Sequence, residues 1–152
     1  MIERNEFRIG PTSLDWRTAR ISARGWRPVF GSGGFAALTE DGLSAAFSVW
    51  RADPGNRMRK RCYTTIDDAL VRYGVVEAFT EARNLREYAD AARLRCESLF
   101  GWHRGQWNVE VSLPPNGQRT LCCAYRLLDR EKWLAECRSA GDANPIIVPA
   151  AI

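Results

Sequence analysis

Apolar residues recur at intervals of three and four between Val75 and about Phe100. Phe79, Ala82, Leu85, Ala89, Ala92, Cys96 and Leu99 fall on one stripe, the spacing of a helix with one buried face. The opposite side carries Arg83–Glu87, Arg86–Asp90 and Arg93–Glu97, i,i+4 pairs of opposite charge that suit a solvated helix face. Most of the stripe is small, so a close-packed neighbour is expected along this long central helix.

Shorter patterns flank it. Pro11-Thr12-Ser13, Asp15 and Gly25 read as the cap, first turn and stop of a helix over Ser13 to Arg24. "FAALTE-DG-LSAAFSVW" reads as two extended runs around Asp41-Gly42, a two-residue hairpin signal. Asp53-Pro54-Gly55-Asn56 places Pro and Gly where a type II turn wants them. A three-stranded meander follows, at roughly Phe35–Glu40, Leu43–Arg51 and Arg57–Thr64. Thr65 then caps a short helix, "IDDALVRYG", with Asp67 and Asp68 in its first turn and Gly74 past its end.

"QWNVEVSL" and "QRTLCCAYRLL" read as a second hairpin around Pro114-Pro115-Asn116-Gly117. Asp129 caps a last helix, "REKWLAECRSA", closed by Gly141, and the tail, with Pro145 and Pro149, is expected to be extended. With no repeat and no linker, the pattern predicts one α+β domain over residues 1–152. It would be an antiparallel sheet, a meander plus a hairpin, with helices on one face.

Composition narrows the class. At 152 residues with 45% hydrophobic and 26% charged residues, the chain is long enough for a real core and balanced like a globular domain. No apolar run approaches the roughly 20 residues that span a bilayer. The start, "MIERNEFRIG", has charges of both signs rather than an apolar block, so a cytoplasmic protein without a membrane partner is expected. The net charge of +4 allows nucleic acid without requiring it. Of the 22 basic residues only Lys60 and Lys132 are lysines. An arginine-rich complement suits planar contacts to carboxylate, phosphate and aromatic rings.

Candidate chemistry is sparse. Cys62, Cys96, Cys122, Cys123 and Cys137 include no C-x-x-C spacing, so reduced, partly buried thiols are expected. "GSGGF" at Gly31–Phe35 lacks the Lys-Ser or Lys-Thr and the following helix of a phosphate-cradling loop. His103, the single histidine, lies in "FGWHRGQW" and is the residue that a Cys–His or Ser–His centre would have to use. No catalytic, metal or cofactor site is expected.

The stretch "RMRKRCYT" stands out. As a strand after the Pro54-Gly55 turn, it puts Met58 and Cys62 on a core face. Arg57, Arg59, Arg61 and Tyr63 fall beside Trp50 on the other. Arginines next to exposed aromatics are the composition of binding hot spots. The leading expectation is a non-enzymatic interaction protein that docks Trp50, Arg57, Arg59, Arg61 and Tyr63 on a protein or nucleoprotein partner. A phage or mobile-element accessory protein inhibiting a host complex, of the anti-CRISPR kind, is one form of it. The alternatives are a nucleic-acid-binding regulator using the same face and a small enzyme centred near His103.

Overall fold

Alternation shapes the N-terminal segment. In β1 (Glu3–Ile9), Asn5, Phe7 and Ile9 are buried while Arg4, Glu6 and Arg8 point the other way. The turn that follows is closed by Gly10 N–H donating to Ser13 O at 2.9 Å. It leads into β2 (Ser13–Ser22), antiparallel to β1 with Phe7 opposite Trp16 and Glu6 opposite Arg17. The expected helix over Ser13–Arg24 is therefore a strand. Its backbone is paired on both sides, by β1 and by the edge segments β3 (Gly25–Pro28) and β4 (Gly34–Ala37), and that pairing outweighs a local capping signal. The computed structural model of the chain describes residues 2–57, 62–77, 81–112 and 119–150.

The expected strand over Leu43–Arg51 is also corrected. It lies within α1 (Gly42–Ala52), which buries Leu43, Ala46, Phe47 and Trp50 on one helical face. Asp41-Gly42 does not turn a hairpin. Gly42, at φ +71°, instead starts the helix from a turn in which its N–H reaches Thr39 O at 2.9 Å. The chain returns as β5 (Cys62–Ile66), parallel to β1, and β9 (Ile147–Pro149) adds on parallel to β5. The six-stranded sheet runs β3-β2-β1-β5-β9, with β4 also paired to β2. Phe7 of β1 meets Phe47 and Trp50 of α1 edge-on, at 5.1 and 5.2 Å between ring centroids, which places α1 on the Phe7 face. The meander is thus replaced by a mixed sheet, and the helix expected from Thr65 contracts to one 3-10 turn at Asp68–Leu70.

The chain divides into two compact units, Met1–Leu70 with Glu131–Ala151, and Val71–Arg130. The second holds β6 (Arg72–Glu77), β7 (Trp107–Val111) and β8 (Arg119–Arg126), antiparallel in the order β6-β8-β7. It also holds α2 (Leu85–Phe100). Val75–Glu77 belongs to β6 rather than to the long helix. The helix starts only at Asn84, whose side chain accepts from Glu87 N–H at 2.9 Å. It ends at Gly101, which adopts φ +67°. Ala92 and Cys96 pack with Val76, Trp102, Cys122 and Ala124, while Leu85 and Leu99 at the ends of the stripe are exposed.

Gly74 is not a helix stop. It sits inside β6, where an added Cβ would come 2.5 Å from the Phe100 ring. Its missing side chain lets the aromatic pair Phe100–Trp102 lie on the strand. The turn expected at Pro114–Gly117 lies outside the described residues. A third helix, α3 (Leu127–Ser139), buries Trp133, Leu134 and Cys137. The α+β character stands, with two sheets and three helices among the described residues. Among the described residues no helix is long and apolar enough to cross a membrane.

Candidate functional site

The face of the six-stranded sheet opposite Phe7 is polar and aromatic. Strand alternation puts Arg4, Glu6 and Arg8 of β1 there, beside Asp15 and Arg17 of β2 and Tyr63 and Thr65 of β5. These residues line a cleft of about 460 Å³. Arg4 is its centre. Its guanidinium lies 4.4 Å from the ring centroid of Trp26 on β3 and 4.7 Å from that of Tyr63, and its Nε donates to Glu6 Oε1 at 2.8 Å. Arg17 Nε donates to the second oxygen of Glu6 at 2.5 Å.

One carboxylate thus joins two strands and organises two guanidiniums. Burial pushes the Glu6 carboxyl up, but the hydrogen bonds and charges of Arg4 and Arg17 outweigh it and hold the pKa below the ordinary glutamate value. Farther along, Arg8 pairs with Asp67. The Ala69 N–H, at 2.9 Å, and then Arg8 keep the Asp67 carboxyl low as well. Ser13 Oγ donates to Asp15 Oδ1 at 3.0 Å. Phe35, opposite Asp15 in register and 72% exposed, extends this face with an apolar rim.

Of the residues expected to form the docking face, the described ones, Trp50, Arg57 and Tyr63, are not brought together. Trp50 is 3% exposed and belongs to the core beneath α1, because Leu43–Arg51 folds with helical rather than strand periodicity. Arg57 is exposed, and its backbone carbonyl accepts from Asn5 Nδ2 at 3.1 Å. Arg59 and Arg61 lie outside the described residues. Of the described ones, Tyr63 sits on the arginine–aromatic face just described. The other residues of that face, Arg4, which stacks on Tyr63, with Glu6, Arg17 and Trp26, were missed by sequence reasoning. The signal was present in "ERNEFRI", where from Arg4 on every second residue is charged and Asn5, Phe7 and Ile9 alternate with them.

His103 is exposed, with Nδ1 3.0 Å from Glu97 Oε1 at the end of α2. Cys96, Cys122, Cys123 and Cys137 are buried, and none of the five cysteines is in a disulfide. "GSGGF" leads into β4, and Gly34 within it passes so close to the Trp16 indole that a Cβ would lie 2.8 Å away. Among the described residues no group of three His, Cys, Asp or Glu side chains is placed to hold a metal ion.

The mixed sheet with its helix-covered face defines a fold found in solved proteins. The chain superimposes on the cytoplasmic domain of EpsL, an inner membrane component of the type II secretion system of Vibrio cholerae. The TM-score is 0.65 at 12% identity, over 97% of this chain and 57% of that one. It also matches a Bacteroides thetaiotaomicron protein described as having an actin-like ATPase fold and unknown function, with TM-score 0.56 at 8% identity over 98% and 52% of the two chains. The likeness is one of fold. The chain spans about half the length of these solved structures. No protein-family model matches the sequence, and no curated protein does.

Proposed function

We propose that this chain is a non-enzymatic docking module that holds a protein partner on the polar-aromatic face of its six-stranded sheet. One observation carries the reading. β1, β5 and β9 are parallel neighbours, and parallel strands are ordinarily covered on both faces. Here α1 packs on the Phe7 face, while the other bears a cleft walled by Arg4, Arg17 and Tyr63. Its carboxylates are held as hydrogen-bond acceptors, Glu6 between two arginines and Asp15 by the Ser13 hydroxyl. That suits a rigid recognition surface better than proton transfer. The likeness to a domain of a secretion-system component supports a place in a multi-protein assembly.

Affinity capture from the native host, with and without nuclease, tests the proposal. The expected catch is a stoichiometric, nuclease-resistant protein that is lost when Arg17→Glu and Tyr63→Ala are combined. Recovery of nucleic acid alone, or undiminished capture by the double variant, overturns it. The identity of the captured protein then decides between a secretion-type assembly and a host-defence complex.

A further inference from the structure

The second unit carries arginines of a different kind. Trp107 opens β7 and lies opposite Arg126 of β8. The Arg72 guanidinium, from β6, is 4.8 Å from the Trp107 ring centroid, and that of Arg126 is 6.0 Å away. The turn before β7, in which the N–H groups of Gln106 and Trp107 both reach His103 O at 3.2 Å, brings in Arg104. Arg104, Trp102 and Trp107 line a cleft of about 320 Å³. β6 and β8 thus deliver two cations to the Trp107 indole, and the turn before β7 adds Arg104 to the cleft that Trp107 also lines.

These cations lack carboxylate partners. Arg72, Arg104 and Arg126 are exposed, and among the described residues none of them makes a hydrogen bond or ion pair. On the other unit, by contrast, Arg4, Arg8, Arg17 and Arg20 each hold a carboxylate. Within the same cleft Arg93 is engaged, by Asp90 at 3.0 Å and by Val109 O at 3.2 Å. The acid in the cleft wall, Glu110, accepts from Asn108 Nδ2 at 2.8 Å and from Tyr125 O–H at 3.3 Å. Stacking on the indole offsets part of the repulsion between the Arg72 and Arg126 guanidiniums, and it leaves their N–H forks unmatched.

We propose that Arg72, Arg104 and Arg126, gathered about Trp107, form a binding site for a small phosphorylated ligand. Guanidinium forks match phosphate oxygens bidentately. Three of them exceed what a single carboxylate with two oxygens can occupy. The cleft lined by Arg104 and Trp107, which adjoins the Arg72 and Arg126 stack through the shared Trp107, has the size of a small-molecule site. Arginines occupy the Trp107 ring, so it is not the open platform on which a nucleic-acid base would stack. The site is independent of the sheet face above, so neither result below bears on protein capture through Arg17 and Tyr63.

Calorimetric titration of the whole chain with inorganic pyrophosphate at low salt tests the assignment, with acetate as the carboxylate control. Pyrophosphate is expected to bind and acetate to give no heat. Raising the salt should weaken binding. Arg72→Gln combined with Arg126→Gln should weaken it about tenfold or more, which is readily resolved. Circular dichroism checks the fold of that variant. Arg104→Gln, outside the stack, serves as a second probe if the double variant fails to fold. Absence of pyrophosphate binding overturns the proposal, as does affinity unchanged in the folded variants. So does binding of a dT oligomer that pyrophosphate does not displace.

Discussion

Trp50 meets Phe7 edge-on, with ring centroids 5.2 Å apart and planes at 81°. This contact pins α1 to β1 and makes Trp50 a core residue, 3% exposed. Trp50→Ala is expected to cost about 3–5 kcal/mol, the usual range for emptying a buried aromatic site. Chemical denaturation followed by far-UV circular dichroism measures it. A loss below 1 kcal/mol would contradict the packing. Any loss of partner binding in this variant would then report unfolding rather than a missing contact.

Glu6 predicts the acid behaviour of the first unit. Its folded pKa lies below the ordinary value because Arg4 and Arg17 stabilise the carboxylate. The native state therefore binds fewer protons than the unfolded state. The stabilisation is present above the unfolded pKa of 4.5 and is lost as pH falls through the folded value. Glu6→Gln should lower stability at pH 7 and flatten its decline below pH 4.5. Melting temperatures of both proteins across that range check the sign.

The thiols predict the opposite limb. Burial first, with neighbouring acidic groups adding to it, pushes Cys62 and Cys137 from 9.0 up to about 12. Burial next to Cys96 does the same to Cys122. Their contribution is complete below the unfolded value of 9.0 and fades as pH rises toward 12. The native protein at pH 8 should therefore react slowly with Ellman's reagent, and all five cysteines should react promptly in denaturant. Rapid reaction of the four buried cysteines without denaturant would contradict their burial.

Gly74 tests how closely α2 and its following residues pack on β6. An alanine Cβ would approach Phe100 to 2.5 Å and Trp102 to 3.0 Å. Overpacking of this kind costs about 1–3 kcal/mol. Gly74→Ala is expected to lower the unfolding free energy by that amount, measured by chemical denaturation. A neutral or stabilising effect would show that the rings have room to move.

At Asn84 the helix signal is local, and its removal should be correspondingly mild. Asn84→Ala removes the acceptor for Glu87 N–H and should cost about 1 kcal/mol. Asn84→Asp, which keeps the acceptor, should restore most of it. Equal losses in both variants would rule out capping as the cause.

Several misreadings share one cause. Leu43, Ala46, Phe47 and Trp50 have helical spacing in the sequence. Yet the same stretch also tolerates alternation, because alanines and serines fill its remaining positions. Asp41-Gly42 and Pro11-Thr12-Ser13 are real turn signals, but a turn signal does not say which element it joins. Gly74 invited reading as a helix stop, while its actual reason is the approach of Phe100 from elsewhere in the chain. Tyr63 could be placed on a polar face from its own strand. Its partner Arg4 could not, because 58 residues of chain separate them and only parallel pairing brings them together.

Local chemistry by itself determined the α+β class, most of α2 and the helical character of α3. Periodicity, caps and i,i+4 charge pairs act within a few residues and can be read along the chain. Tertiary structure decided the rest: the strand identity of Ser13–Ser22, the burial of Trp50, and which arginines stand on which face. Those outcomes depend on backbone partners and ring contacts far away in sequence. Strand pairing across β1, β2 and β5 satisfies more backbone groups than the isolated helices suggested at Ser13 and Thr65 could.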